Sequence, residues 1–110
     1  MEFVKTLPYL KALKKIRISE IEENILYEEL AENPKRGSVI QGGGGIRKIR
    51  MALCGRGKSA GARVIYFYLE VRGRIYLLTA YAKNERENLT KAEIAKLKEV
   101  SALIRKTVEK

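Results

Sequence analysis

The stretch IRKIRMALCGRGKSAGARVIYFYLEVRGRIYLLTAYA, residues 46–82, decides the fold. Its first eight residues, Ile46 to Leu53, alternate in character: Ile49, Met51 and Leu53 share one side of an extended chain, and Lys48, Arg50 and Ala52 share the other. A basic face opposes an apolar one. Ala62 to Val71 sets Arg63, Ile65, Phe67 and Leu69 on one face and Val64, Tyr66 and Tyr68 on the other, and Arg74 to Ala82 reads as a third strand. Both later strands are apolar enough to be central in a sheet. Arg72-Gly73 separates them by a tight turn whose glycine accepts a positive φ, which predicts an antiparallel hairpin.

Working outward, Glu2 to Thr6 is a short strand, and Pro8 suits the first turn of a helix that reaches about Ile16. Ser19-x-x-Glu22 forms a capping box, and Ile21, Ile25, Leu26 and Leu30 make an apolar stripe before Asn33-Pro34 stops that helix. A second box, Thr90-x-x-Glu93, opens a carboxy-terminal helix with Ile94, Leu97, Ser101, Ile104 and Val108 at helical spacing, widened by Val100 and Leu103. The order strand, two helices, three antiparallel strands, helix predicts an α+β fold with the helices on one side of a small curved sheet. The length of 110 residues predicts a single domain, 1–110, with one core. Gly42–Gly45 follows no strand and opens no helix, so it reads as a flexible connector, or else as backbone able to approach a phosphate.

Composition removes whole classes of chemistry. The chain has no histidine, no aspartate and one cysteine, Cys54. A Ser-His-Asp triad, histidine-ligated metals, clustered-cysteine zinc modules and an internal disulfide are excluded, so no metal or other cofactor is expected. Gly57-Lys58-Ser59 resembles the end of a phosphate-binding loop, but that motif requires a glycine where Ala52 stands, and the segment leads into a strand. Lysines break every apolar run near the amino terminus, and the longest run, Val64 to Leu69, is far short of the roughly 20 residues that span a bilayer. A cytoplasmic protein without a membrane partner is expected.

The 23 basic and 13 acidic residues give a net charge of +10, and the distribution matters more than the sum. Between Lys35 and Asn84 lie Lys35, Arg36, Arg47, Lys48, Arg50, Arg56, Lys58, Arg63, Arg72, Arg74 and Lys83 against the single acid Glu70. Outside that window the two signs balance. Such concentration points to a polyanion, with nucleic acid first.

Lys48 and Arg50 on one strand face, Arg63 at the start of the next strand and Lys83 after the last would meet at one sheet edge, with Glu85 the acid nearby. Guanidinium groups grip the non-bridging oxygens of a phosphodiester and stabilise charge developing at phosphorus. Proton transfer would fall to lysine, a poor base at its free pKa of about 10.4 but a better one among other cations, which favour a neutral amine. RNA is the expected substrate, because its own 2′-hydroxyl can act as nucleophile. Arg47, Arg56 and Lys58 are expected to bind the RNA. Tyr66 and Tyr68, two apart in a strand, could stack bases, although core packing is the simpler role.

The run Asn33-Pro34-Lys35, Val39-Ile40-Gln41-Gly42, Gly45-Ile46-Arg47-Lys48-Ile49-Arg50, Arg63-Val64-Ile65-Tyr66, Tyr76-Leu77-Leu78 and Tyr81-Ala82-Lys83-Asn84-Glu85 resembles the RelE/HigB family of toxins, its HigB-like branch in particular. The resemblance implies a type II toxin–antitoxin system whose toxin enters the ribosomal A site and cleaves translated mRNA. It implies a metal-independent endoribonuclease that works by 2′-hydroxyl attack and leaves a 2′,3′-cyclic phosphate. Its partner would be a HigA-like helix-turn-helix antitoxin, through which alone it would reach operator DNA. In the same light Lys48 is the general base, Arg50 a phosphate contact, Arg63 the transition-state arginine and Lys83 an acid or backbone contact, while Arg47, Arg56, Lys58 and Asn84 bind the RNA or the ribosome. The best-known members carry an arginine where this chain has Asn84, and a tyrosine where Asn88-Leu89-Thr90 stands. Two other readings stay open: a relative of the same fold that acts by binding gyrase, and a non-catalytic RNA-binding module.

Overall fold

The computed structural model describes residues 1–53 and 61–108. Along them the chain runs β1 (Glu2–Lys5), α1 (Leu7–Ile16), α2 (Glu20–Glu32), β2 (Ser38–Val39), β3 (Ile46–Met51), β4 (Ala62–Leu69), β5 (Arg74–Ala82) and α3 (Lys91–Val108). The strands form one sheet in the order β1-β5-β4-β3-β2. Strands β2 to β5 pair antiparallel, as the hairpin reading requires, and β1 adds in parallel beside β5, so the sheet is mixed. Strand β4 ends at Leu69 rather than Val71, because Glu70–Arg72 curl into a 3-10 turn closed by Gly73 at φ 60°.

Both capping boxes form. The Ser19 amide donates to Glu22 Oε1 at 2.8 Å and the Glu22 amide to Ser19 Oγ at 3.2 Å. Thr90 and Glu93 repeat the exchange at 2.8 and 3.1 Å. Such caps contribute about 1 kcal/mol each to a helix end.

The helices do not share one side of the sheet. Helices α1 and α2 cover one face, where Tyr9, Leu13, Leu26 and Leu30 pack on Ile49, Met51, Val64, Tyr66, Ile75 and Leu77. Helix α3 covers the other, where Leu97, Val100, Ile104 and Val108 pack on Ile46, Ile65, Phe67, Leu69, Leu78 and Tyr81. The cause is in β4, which is apolar on both faces and must be covered on both. The stripe of α2 also differs from its sequence reading: Glu22, Leu26 and Leu30 face the sheet, whereas Ile21 is 71% exposed and Ile25 49%. One position along a helix is about 100° of rotation, enough to carry those two out of the core. Leu103 on α3 is likewise exposed.

Gly42–Gly45 is part of the α3 dock rather than a free connector. Buried Ser101 Oγ, which donates to Lys98 O at 2.8 Å, also lies 3.3 Å from Gly44 O, and the Arg105 guanidinium lies 4.7 Å over the Phe67 ring. At Gly45, with φ 99°, a Cβ would stand 2.6 Å from Arg105 Nη2 and 3.2 Å from Phe67. Only glycine lets this backbone reach the helix.

One irregularity decides which β5 residues face α3. Between the pairs Ile65↔Thr79 and Tyr66↔Leu77 the register slips by one residue, a bulge at Leu78. The Thr6 hydroxyl lies 2.8 Å from Leu77 O and 3.0 Å from Leu78 O, capping both carbonyls there. Past the bulge Ala80 and Ala82 join the α1–α2 core, and Tyr81 turns to the α3 side.

Candidate active site

The pairing of β3, β4 and β5 draws a row across the sheet. Arg50 stands opposite Arg63, and Arg63 opposite Tyr81. Directly opposed residues in antiparallel strands lie about 4.5–5.5 Å apart at Cα. Alternation sets Arg50, Arg63 and Lys48 on the α3 face, where Ile46, Ile65 and Tyr81 also lie. The cluster therefore sits on the α3 face of the sheet, with Arg50 on the part of β3 that β2 leaves unpaired.

Arg63 is the most constrained member. Its Nη1 is buried and has no hydrogen-bond partner among the described residues. A buried donor without an acceptor costs about 1–3 kcal/mol, so the fold holds a guanidinium nitrogen ready for an acceptor that the described residues do not supply. Arg50 across from it is exposed. A cavity of about 380 Å³ opens beside Lys48 and Arg50, bounded also by Glu29, Arg36, Gly37 and Ser38. It lies where β3 extends past its short partner β2, which pairs only with Arg47 and Lys48.

The segment after β5 closes the site on its other side. Lys48 Nζ lies 3.4 Å from Asn88 Oδ1. The Tyr81 hydroxyl donates to Glu87 O at 3.1 Å, and the Arg86 guanidinium lies 5.2 Å over the Tyr81 ring. Burial pushes the Tyr81 phenol up, while Arg63 and Arg86 oppose that rise. Arg86 pairs with Glu93 through both carboxylate oxygens and donates to Asn88 O. The Arg86 hydrogen bond, helped by the Thr90 amide, holds the Glu93 carboxyl down at about 2.

The remaining site residues expected from sequence fall in different places. Lys83 is exposed directly after β5, its amide donating to Gly61 O at 2.8 Å. Asn84 and Glu85 line a separate cavity with Lys15, Ile16, Leu53 and Ala82, on the α1 side of the sheet end. Neither is brought to Lys48 or Arg63. Arg47 points to the α2 face and donates to Lys35 O at 3.1 Å and Gly37 O at 2.8 Å, so its guanidinium pins the segment after α2. Tyr66 is fully buried and serves the same segment, accepting from the Gly37 amide and donating to Pro34 O. It is a core residue and no stacking platform. Cys54, Arg56 and Lys58 lie outside the described residues. Sequence reasoning missed Tyr81, Arg86, Asn88 and the second role of Glu93. Alternation could have put Tyr81 near Lys83, but only the bulge turns it toward Arg63.

Against this geometry stand the comparisons with known proteins. A family model described as the RelE toxin of the RelE/RelB toxin–antitoxin system matches residues 4–110. The chain belongs to the RelE toxin family. Among solved structures, a double arginine-to-alanine mutant of E. coli toxin RelE in the free state is similar, with a TM-score of 0.52 and 18% identity, covering 78% of this chain and 86% of that one. At that identity the likeness speaks for the fold. As a RelE-family toxin of a toxin–antitoxin system, the chain has an antitoxin as its partner.

Proposed function

We propose that this RelE-family toxin is a ribosome-dependent endoribonuclease that enters the A site, cuts mRNA and stops translation. The observation that carries the reading is Arg63, which stands in register with Arg50 and whose buried Nη1 has no partner among the described residues. A phosphodiester supplies the missing acceptor. The ribose 2′-oxygen attacks phosphorus, the bond to the 5′-oxygen breaks, and a 2′,3′-cyclic phosphate and a 5′-hydroxyl remain. Arg63 and Arg50 hold the non-bridging oxygens as their charge grows, Lys48 takes the 2′ proton, and Lys83 returns a proton to the leaving oxygen or steadies the backbone. Metal-independent chemistry is supported by a chain without histidine or aspartate.

Ribosome dependence follows from how little the site offers. Three or four cations on an open sheet face do not by themselves hold a flexible RNA in line for attack, and a decoding centre does. Lys83-Asn84-Glu85 favours the HigB-like branch and hence a small helix-turn-helix antitoxin of HigA type. Inducing the gene in a bacterium and mapping mRNA 5′ ends tests the reading. Codon-phased cuts support it, whereas gyrase-type DNA damage, or neither outcome, refutes it.

A further inference from the structure

The segment from Lys83 to Thr90 has no regular secondary structure, yet its middle is tied down closely. The Glu85 and Arg86 amides both donate to Ala82 O, at 3.1 and 3.3 Å, which turns the chain back toward the sheet. The Arg86 side chain then makes three kinds of contact at once. Its Nε and Nη2 donate to Asn88 O at 3.3 and 3.0 Å. Its fork meets Glu93 on the first turn of α3, with Nη1 3.0 Å from Oε2. Its plane lies over Tyr81, whose hydroxyl in turn takes Glu87 O. Glu87 and Asn88 are thus held from both sides, and the Asn88 carboxamide oxygen is left facing Lys48 Nζ.

We propose that Arg86 is a positioning residue that fixes Asn88, so that the Asn88 carboxamide oxygen holds Lys48 Nζ at the mouth of the basic cleft. Lysine loses rotamer freedom when its side chain is fixed, and a prepositioned acceptor removes part of that cost before RNA arrives. A planar fork that grips a carboxylate, donates to a carbonyl and stacks on a ring uses guanidinium geometry that an ammonium cannot reproduce. Glu93 stays ionised far below neutral pH, so the clamp is closed wherever the protein works.

The proposal rests on the reading of Lys48 as an active-site group, and its test separates the two. In the first arm, the Asn88 side-chain amide resonances of the full chain are followed by NMR. Lys48→Met and Arg86→Lys should each shift them and bring them toward free-carboxamide values, whereas Arg72→Lys should leave them in place. No shift with either of the first two variants overturns the proposal, whether or not the protein cleaves RNA. In the second arm, single-turnover cleavage is measured on saturating translating ribosomes. Asn88→Ala and Arg86→Ala should each lower the maximal rate by about tenfold, with ribosome affinity changed by less than twofold, and the double variant should be no slower than Arg86→Ala. Independent losses that multiply, or losses confined to affinity, overturn it. If Arg86→Ala fails to fold, Asn88→Ala alone still decides: an undiminished maximal rate overturns the proposal. Wild-type protein inactive on ribosomes, with the NMR coupling intact, would refute the proposed ribonuclease function and uphold the clamp.

Discussion

Arg63→Met should make the toxin more stable and nearly inactive. Methionine keeps an unbranched apolar stem in the space that the arginine stem occupies and removes the guanidinium. That group holds a buried Nη1 without a partner among the described residues, at about 1–3 kcal/mol, and faces Arg50 directly across the strand pair. Like charges in that position add roughly 0.2–1 kcal/mol of repulsion. Removing both penalties gives a gain of about 1–4 kcal/mol, which for a domain near this size raises Tm by roughly 5–20 °C. Cleavage should fall about 100-fold or more, the usual loss for one preorganised donor to a developing oxyanion. Thermal melts of the purified protein and single-turnover cleavage on programmed ribosomes give the two readings. Arg72→Met, the same charge change at the far β4–β5 turn, controls for charge and should do neither. A lower Tm for Arg63→Met with cleavage unchanged would refute the reading of Arg63 as a donor held in reserve for substrate.

Three further outcomes follow from other parts of the structure. Tyr66→Phe strands the Gly37 amide and Pro34 carbonyl, so urea denaturation should show a loss of about 1–3 kcal/mol. The Glu93 carboxyl is depressed from 4.5 to about 2, so the stability it adds is fully present above pH 4.5 and disappears as pH falls toward 2; Glu93→Gln should flatten the stability–pH curve in that window and leave its slope from pH 6 to 8 unchanged. The net charge of +10 should steer an acidic antitoxin, so stopped-flow association should slow steeply from low to physiological salt, and a flat rate would rule out steering.

Much of this fold was legible because its signals are local. Period-two alternation over Ile46–Met51 and the two capping boxes need no partner to be read, and both formed. The two-sided placement of helices is written in Val64 to Leu69, which are apolar on both faces, whereas an antiparallel strand order alone is compatible with a single covered side. The parallel addition of β1 and the bulge at Leu78 depend on Thr6 meeting carbonyls 71 and 72 residues away, which no window of sequence contains. The same divide runs through the site. Lys48, Arg50 and Arg63 were legible because strand alternation and hairpin order bring them together. Arg47 looked equivalent to them, yet one residue of shift turned it to the other face, where it holds Lys35 and Gly37. Only the family resemblance marks Asn84, while Asn88 reaches Lys48 across 40 residues through contacts that only the folded chain makes.

The most direct test of the central claim is to give purified toxin one mRNA in two forms, naked and seated in the A site of a translating ribosome, and to analyse the cut ends. The account predicts cleavage on the ribosome alone, with 2′,3′-cyclic phosphate and 5′-hydroxyl ends that disappear with Arg63→Met. Equal cutting of the naked transcript, ends bearing a 5′-phosphate, or intact mRNA on the ribosome would contradict it.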